Sequence, residues 1–227
     1  MTAAGYFITG TDTGVGKTRV ATGLIAAFQQ RGKRVLGMKP VACGHSPHVG
    51  SYINDDVLQI AAITGQHPED LALCPYSLAA PVSPNIAAEY AAISIEIPRI
   101  VLYLHELAAS SDLVIVEGAG GWLVPISATQ TMADVAVALQ LPVILTVGLR
   151  LGCLNHALLT TTAIRQSGLM LAGWIANQLD PVMLAVDANI DTLSRMIGQP
   201  PLTSLPHNAT SVSTAPLLAS VVDKLSV

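Results

Sequence analysis

Charge is scarce in this chain. Asp, Glu, Lys and Arg make up 11% of its 227 residues, against roughly 25% in an ordinary soluble domain. The eleven Lys and Arg are scattered and the formal net charge is -4, so the chain has no basic stripe of the kind a nucleic-acid binder needs. Cysteine is also sparse. Cys43, Cys74 and Cys153 stand far apart with no C-x-x-C spacing, which excludes a disulfide framework and a zinc site built on them. A membrane-length apolar run is missing despite a mean hydropathy of +0.54. The longest candidate, Val135 to Leu149, has fifteen residues, is flanked by Asp134 and Arg150, and is interrupted by Gln140 and Pro142. A bilayer span takes about 20, so this stretch reads as helix end, turn and buried strand. The opening "MTAAGYFITG" has no basic segment before its apolar run, so no secretory signal is visible and a cytoplasmic chain is expected.

What the chain does have is apolar content, 51% of its residues. That suits one α/β domain over residues 1–227 whose strands are covered on both faces, with further surface buried against another subunit. Strand-like runs alternate with helix-period segments. Gly5–Thr9, Val35–Met38, Asp112–Val116, Pro142–Val147 and Leu171–Ala176 read as buried strands, the last being the final apolar strand. Lys17–Arg31 places Val20, Ala21, Leu24, Ile25 and Phe28 on one helical face. Asp55–Thr64, Pro98–Ala109 and Leu154–Gln166 read as further helices, and Leu217–Leu225 as a short helical tail. Leu71–Ala88, with Pro75, Pro81 and Pro84, reads as an irregular surface excursion. Strands spaced by helices predict a doubly wound, mostly parallel sheet flanked by helices, with ligands beyond the carboxyl ends of its strands.

The residues that break the apolar pattern, the opening loop, Lys39, Glu117 and Asn177, fall at those ends. "TGTDTGVGKT", residues 9–18, follows the first strand and opens the first helix. Backbone N–H groups of such a turn, together with a helix N-terminus, make a concavity for phosphate oxygens. Lys17 is placed to reach a terminal phosphate and the Thr18 hydroxyl to ligate magnesium. The P-loop pattern is incomplete, because glycine is wanted at Thr11 and stands at Gly10 instead. Partition ATPases carry an extra lysine five residues before the main one. Here that position is Asp12, which argues against that subclass. Glu117 ends the strand "DLVIV" before Gly118 and Gly120, where a carboxylate holds magnesium beside a P-loop. Lys39 ends the second strand before Pro40 and faces the γ-phosphate opposite Lys17. In "NDD", Asn54 or Asp55 caps a helix while Asp56 is available to a metal. In "GCLNHA", Asn155 reads as a helix cap, and a Cys153–His156 nucleophile pair lacks an orienting third group.

Taken together, "GTDTGVGKT", "GMKPVACG", "VEGAGGWLVP", "LPVILTVGLRLGCLNHALLT" and "LAGWIANQLDP" resemble the ATP-dependent dethiobiotin synthetases over about Tyr6 to Pro181. The resemblance implies a P-loop ligase that joins CO2 to 7,8-diaminononanoate with MgATP, working as a homodimer with its substrate near the interface. It implies nucleotide contacts by Asp12, Thr13, Gly14, Val15, Gly16, Lys17, Thr18 and Arg19, with Asp56, Glu117, Gly118, Ala119 and Gly120. Asn177 and Gln178, and Pro206, His207 and Asn208, are implied at the base and nucleotide end. Thr18, Asp56 and Glu117 match the magnesium positions, and Lys39 with Lys17 the catalytic lysines. Substrate contacts fall on Thr11, Cys43, Gly152, Cys153 and Asn155, with the "GCLNH" loop supplied by the neighbouring chain. The sequence departs from the family's pattern at Cys43, often serine, at Gly14, glutamate in some members, and at Asn85. An amide-forming ligase of the cobyrinic acid type shares "GAGG", but it carries a glutaminase domain for which this length leaves no room.

Overall fold

The computed structural model describes residues 4–48, 51–207 and 211–225. The chain runs through β1 (Gly5–Gly10), α1 (Lys17–Gln30), β2 (Val35–Met38), β3 (Val41–Cys43), β4 (Ser46–His48), β5 (Ser51–Ile53) and α2 (Asp55–Thr64). It continues with β6 (Tyr76–Leu78), α3 (Pro84–Tyr90), α4 (Ile97–Ala109), β7 (Leu113–Glu117), α5 (Met132–Leu139) and β8 (Val143–Leu149). It ends with α6 (Cys153–Gln166), β9 (Leu171–Gln178), α7 (Val186–Ile197), β10 (Thr203–Leu205) and α8 (Ser211–Val222).

Six strands form one parallel sheet in the order β10-β9-β8-β1-β7-β2. Side chains alternate across each strand, so every central strand feeds two cores. In β7, Leu113 and Ile115 pack on the side of α1, α2 and α8, while Val114 and Val116 pack on the side of α3 to α7. Phe7 and Ile8 of β1 divide in the same way, and both are fully buried. Burying a large apolar side chain contributes about 1.5–3 kcal/mol, which explains why strands with water on neither face carry almost no polar residue except at their tips. From β1 the chain winds out to β2, and from β7 it crosses to β8 on the other flank of β1. The switch in direction at β1 opens a crevice at the carboxyl edge.

Several expectations are corrected. The excursion at Leu71–Ala88 is not irregular throughout: β6 pairs in parallel with β3, and α3 begins at Pro84. The strand at Leu171 is not the last, because β10 extends the sheet along β9. Before it lies α7, which has Leu193 and Ile197 buried against the core. The C-terminal helix begins at Ser211 rather than Leu217 and tolerates Pro216 within it. Asn155 does not cap α6. Gly152 does, in the left-handed region at φ 94, and Asn155 sits inside the helix. Asn54 caps α2 by accepting from the Asp56 and Val57 amides.

Candidate active site

Strand register builds the charged centre. Met38 lies beside Val116, so the next residues of β2 and β7, Lys39 and Glu117, emerge side by side. Lys39 Nζ donates to Glu117 Oε1 at 2.6 Å and to Asp56 Oδ2 at 2.8 Å. Asp56 arrives from the first turn of α2, a position fixed by the Asn54 cap. From α1, Thr18 Oγ1 lies 2.7 Å from Asp56 Oδ1 and 2.8 Å from Glu117 Oε1. A hydroxyl has one hydrogen and donates to only one of them at a time. Thus three hard oxygens converge, and Glu117 Oε2 is buried with no hydrogen-bond partner among the described residues.

Burial alone would lower the pKa of Lys39, but Glu117 and Asp56 outweigh it and hold the ammonium above its ordinary value. Burial pushes Glu117 up, and Lys39 offsets only part of that. For half-exposed Asp56 burial acts upward, yet Lys39 and the Thr18 hydroxyl bring the carboxyl below its usual range. Lys17 differs. Its Nζ donates at 2.9 Å to the Asp12 carbonyl, curling the loop over it. Burial, reinforced by the charge on Lys39, brings its pKa down to about 8.

These groups line a cavity of about 900 Å³. Of the expected residues, Thr13, Gly14, Gly16, Lys17, Thr18, Arg19, Lys39, Cys43, Asp56, Glu117, Ala119 and Gly120 line it. Asp12 lies just outside and pairs with Arg150, which ties the phosphate loop to the turn after β8. Val15 is buried beneath the loop. Gly118 donates to the Ile8 carbonyl and so fixes the start of the "GAGG" turn. Asn177 is buried behind Gly16, where an added Cβ would stand 2.3 Å from its Nδ2 with φ at +93. Gln178 hydrogen-bonds the Asp180 carbonyl, and Pro206 receives Arg19 through its own carbonyl. His207 is half-buried, and Asn208 lies outside the described residues.

Thr11, Gly152, Cys153 and Asn155 are not brought to this cavity within one chain. The Cys153 thiol is in the core and its amide donates to the Arg150 carbonyl, while Leu151 beside it is 96% exposed. Sequence reasoning missed Gln59 and the wall made by Pro81, Val82, Ser83 and Pro84. Gln59 was findable, since it stands one helical turn after Asp56. The wall was not, because its prolines signal only a break.

A glycine-rich loop, its lysine and hydroxyl, and a buried acid at a neighbouring strand tip, all on a parallel sheet, define a P-loop nucleotide-binding protein. A family profile described as "AAA domain" matches residues 4–215. Among solved structures, the septum site-determining protein MinD complexed with Mg-ADP from Pyrococcus horikoshii superposes with a TM-score of 0.60 at 14% identity, over 99% of this chain and 96% of that one. MinD in the MinC:MinD complex of Aquifex aeolicus gives 0.61 at 14%, over 99% and 98%. At that identity the likeness establishes the fold alone. The particular family follows from sequence. ATP-dependent dethiobiotin synthetases of Aromatoleum aromaticum and Ralstonia nicotianae are 48% and 45% identical, over 90% and 94% of this chain and 91% and 96% of theirs. That of Xanthomonas axonopodis pv. citri is 45% identical over 86% of this chain and 87% of its own. The chain belongs to the ATP-dependent dethiobiotin synthetases, ligases of biotin biosynthesis that form C–N bonds.

Proposed function

We propose that the chain closes a ureido ring on 7,8-diaminononanoate with CO2 and ATP, and that the residues of the 900 Å³ cavity do the work. One amine of the substrate takes up CO2 as a carbamate and loses a proton. A carbamate oxygen attacks the γ-phosphorus, ADP departs, and a carbamic–phosphoric anhydride remains. The second amine attacks the carbonyl carbon, phosphate departs, and the ring closes with loss of the second proton. No enzyme nucleophile enters any step, which fits a cavity without a Ser/His/acid set. Orienting amine, carbamate and phosphate in one cavity supplies up to about 7–11 kcal/mol of barrier lowering, and exclusion of water protects the anhydride.

Lys17 and Lys39 face the transferring phosphoryl group and offset its charge. Thr18, Asp56 and Glu117 are the residues that would hold Mg2+, and the unpartnered Glu117 Oε2 fits that use. Among the described residues no cluster of three acidic, His or Cys side chains exists, so the remaining ligands would be phosphate oxygens and water, the usual magnesium set. When bound, the ion neutralises charge on the polyphosphate. Arg19, Asn177 and Gln178, with Pro206 and His207, are assigned to the base end, and Asn208 is assigned there from the resemblance alone. Cys43 lies on the substrate side of Lys39 and offers a weak donor.

The chain is read as a cytoplasmic homodimer, with Gly152, Cys153 and Asn155 completing the partner's substrate site. Exposed Leu151 and the distance of that turn from its own cavity support this. No helix among the described residues is long and apolar enough to cross a membrane. The carrying observation is that Lys17, Thr18, Lys39, Asp56 and Glu117 meet at three strand ends in one cavity. Phosphate release in bicarbonate buffer should depend on the diamine. Release that is indifferent to the diamine, or stimulated by DNA or lipid as for a positioning ATPase, overturns the reading.

A further inference from the structure

Arg19 has two partners at the base end of the cavity that it lines. Its Nη1 donates to Asn177 Oδ1 at 3.0 Å, and its Nη2 donates to the Pro206 carbonyl at 3.1 Å. Asn177 is held from the other side as well, because its Nδ2 donates to the Val15 carbonyl at 2.7 Å. A carbonyl only accepts and a guanidinium only donates. The amide is therefore locked with nitrogen toward the phosphate loop and oxygen toward Arg19. On the loop side it packs against Gly16, where a Cβ would stand 2.3 Å from Nδ2. With both bonds made, Asn177 is 2% exposed. A base reaches it only if Arg19 leaves.

We propose that Arg19 is a displaceable latch whose guanidinium stands where the exocyclic amino group of a nucleotide base binds. This rests on the reading that this end of the cavity takes the base. Two acceptors, Asn177 Oδ1 and the Pro206 carbonyl, face one planar fork of N–H donors. An amino group on a base has two hydrogens and replaces the fork donor for donor, leaving neither acceptor unpaired. An oxo group in the same place presents lone pairs to lone pairs and cannot make the exchange. Arg19 is thus a selectivity and positioning residue, and the ligand class is a nucleoside triphosphate with an amino-bearing base.

Calorimetry on the full chain, with ATP and with inorganic tripolyphosphate as probes, tests this. Arg19→Met should bind ATP roughly three- to tenfold more tightly, because no internal donor has to be displaced. Tripolyphosphate, which has no base, should bind both proteins equally. Asn177→Ala should weaken ATP by more than it weakens tripolyphosphate, whose share is the loss of the donor to the Val15 carbonyl in the phosphate loop. If Asn177→Ala weakens ATP no more than tripolyphosphate, the base end has been misassigned. If it weakens ATP more while Arg19→Met leaves ATP affinity the same or lower, the latch is wrong and the base end stands. Should Arg19→Met fail to fold, Arg19→Lys, which retains one donor point in place of the fork, should show a smaller gain of the same sign, and no gain counts against the latch.

Discussion

The two halves of the cavity are built on opposite principles. At the β2–β7 side the working groups are charges: Lys39 against Glu117 and Asp56, with Glu117 wholly buried. At the β9–β10 side the acceptors are neutral, an amide and a backbone carbonyl, bridged by an arginine. A buried charge without its partner is costly, which favours a first half that is assembled before ligand binds. A neutral hydrogen bond exchanges one donor for another at little net cost, so the second half can open and close. On the proposed function, chemistry belongs to the charged half and recognition to the neutral one.

Removing Lys39 tests the contrast most severely. Lys39→Ala should lower kcat by roughly 10²–10³-fold, the scale of one lost electrostatic contact to a transition state, while ATP affinity changes only a few-fold. Wild-type kinetics would take Lys39 out of the mechanism. The same change strands Glu117, and breaking a buried pair costs about 3–5 kcal/mol. Thermal melting should therefore show a loss that added magnesium partly restores, because the ion supplies positive charge between the same carboxylates.

Asn54 tests whether the charged half depends on its framing. Besides capping α2, its Nδ2 donates to the Cys43 and Gly44 carbonyls at 3.0 and 2.8 Å, joining the helix that carries Asp56 to the strand that carries Cys43. Asn54→Ala should cost about 2–3 kcal/mol from one cap and two hydrogen bonds, seen as a fall in Tm of about 5–10 °C. It should also raise the magnesium concentration needed for activity. A loss of Tm with no change in magnesium dependence would make Asn54 a purely structural brace.

The charged half was fully legible in the sequence and the neutral half only in part, for a physical reason. A lysine and a glutamate at the tips of apolar strands, and an aspartate pair opening a helix, stand out because burial leaves so few places for charge. Asn177 stands out as the polar residue that ends an apolar strand, but nothing local distinguishes Arg19 from a surface residue, and their contact spans 158 positions. The resemblance added Pro206 and His207 to that end, and it did not supply the pairing with Arg19. Fold elements divide similarly. The long buried strands are unmistakable, whereas β3, β6 and β10 have three residues each and no room to show a period. In α7 the stripe of Ile190, Leu193 and Ile197 is hidden among polar neighbours, and only its last two residues are buried.

The smallest effect is also the sharpest probe of which half titrates. Lys17 sits near pKa 8 without ligand because burial and Lys39 disfavour its charge, and a polyphosphate beside it favours the protonated form. Below pH 8 the lysine already carries its proton, and binding should take up none. Above pH 8 binding should draw in a proton, approaching one per site, and affinity should fall by at most about tenfold per pH unit. Calorimetry in two buffers of different ionisation heat measures the uptake directly. Because the linkage belongs to Lys17, Lys17→Met should abolish the uptake seen with ATP. Uptake that persists in Lys17→Met would move the titration to another group and break the division between the halves.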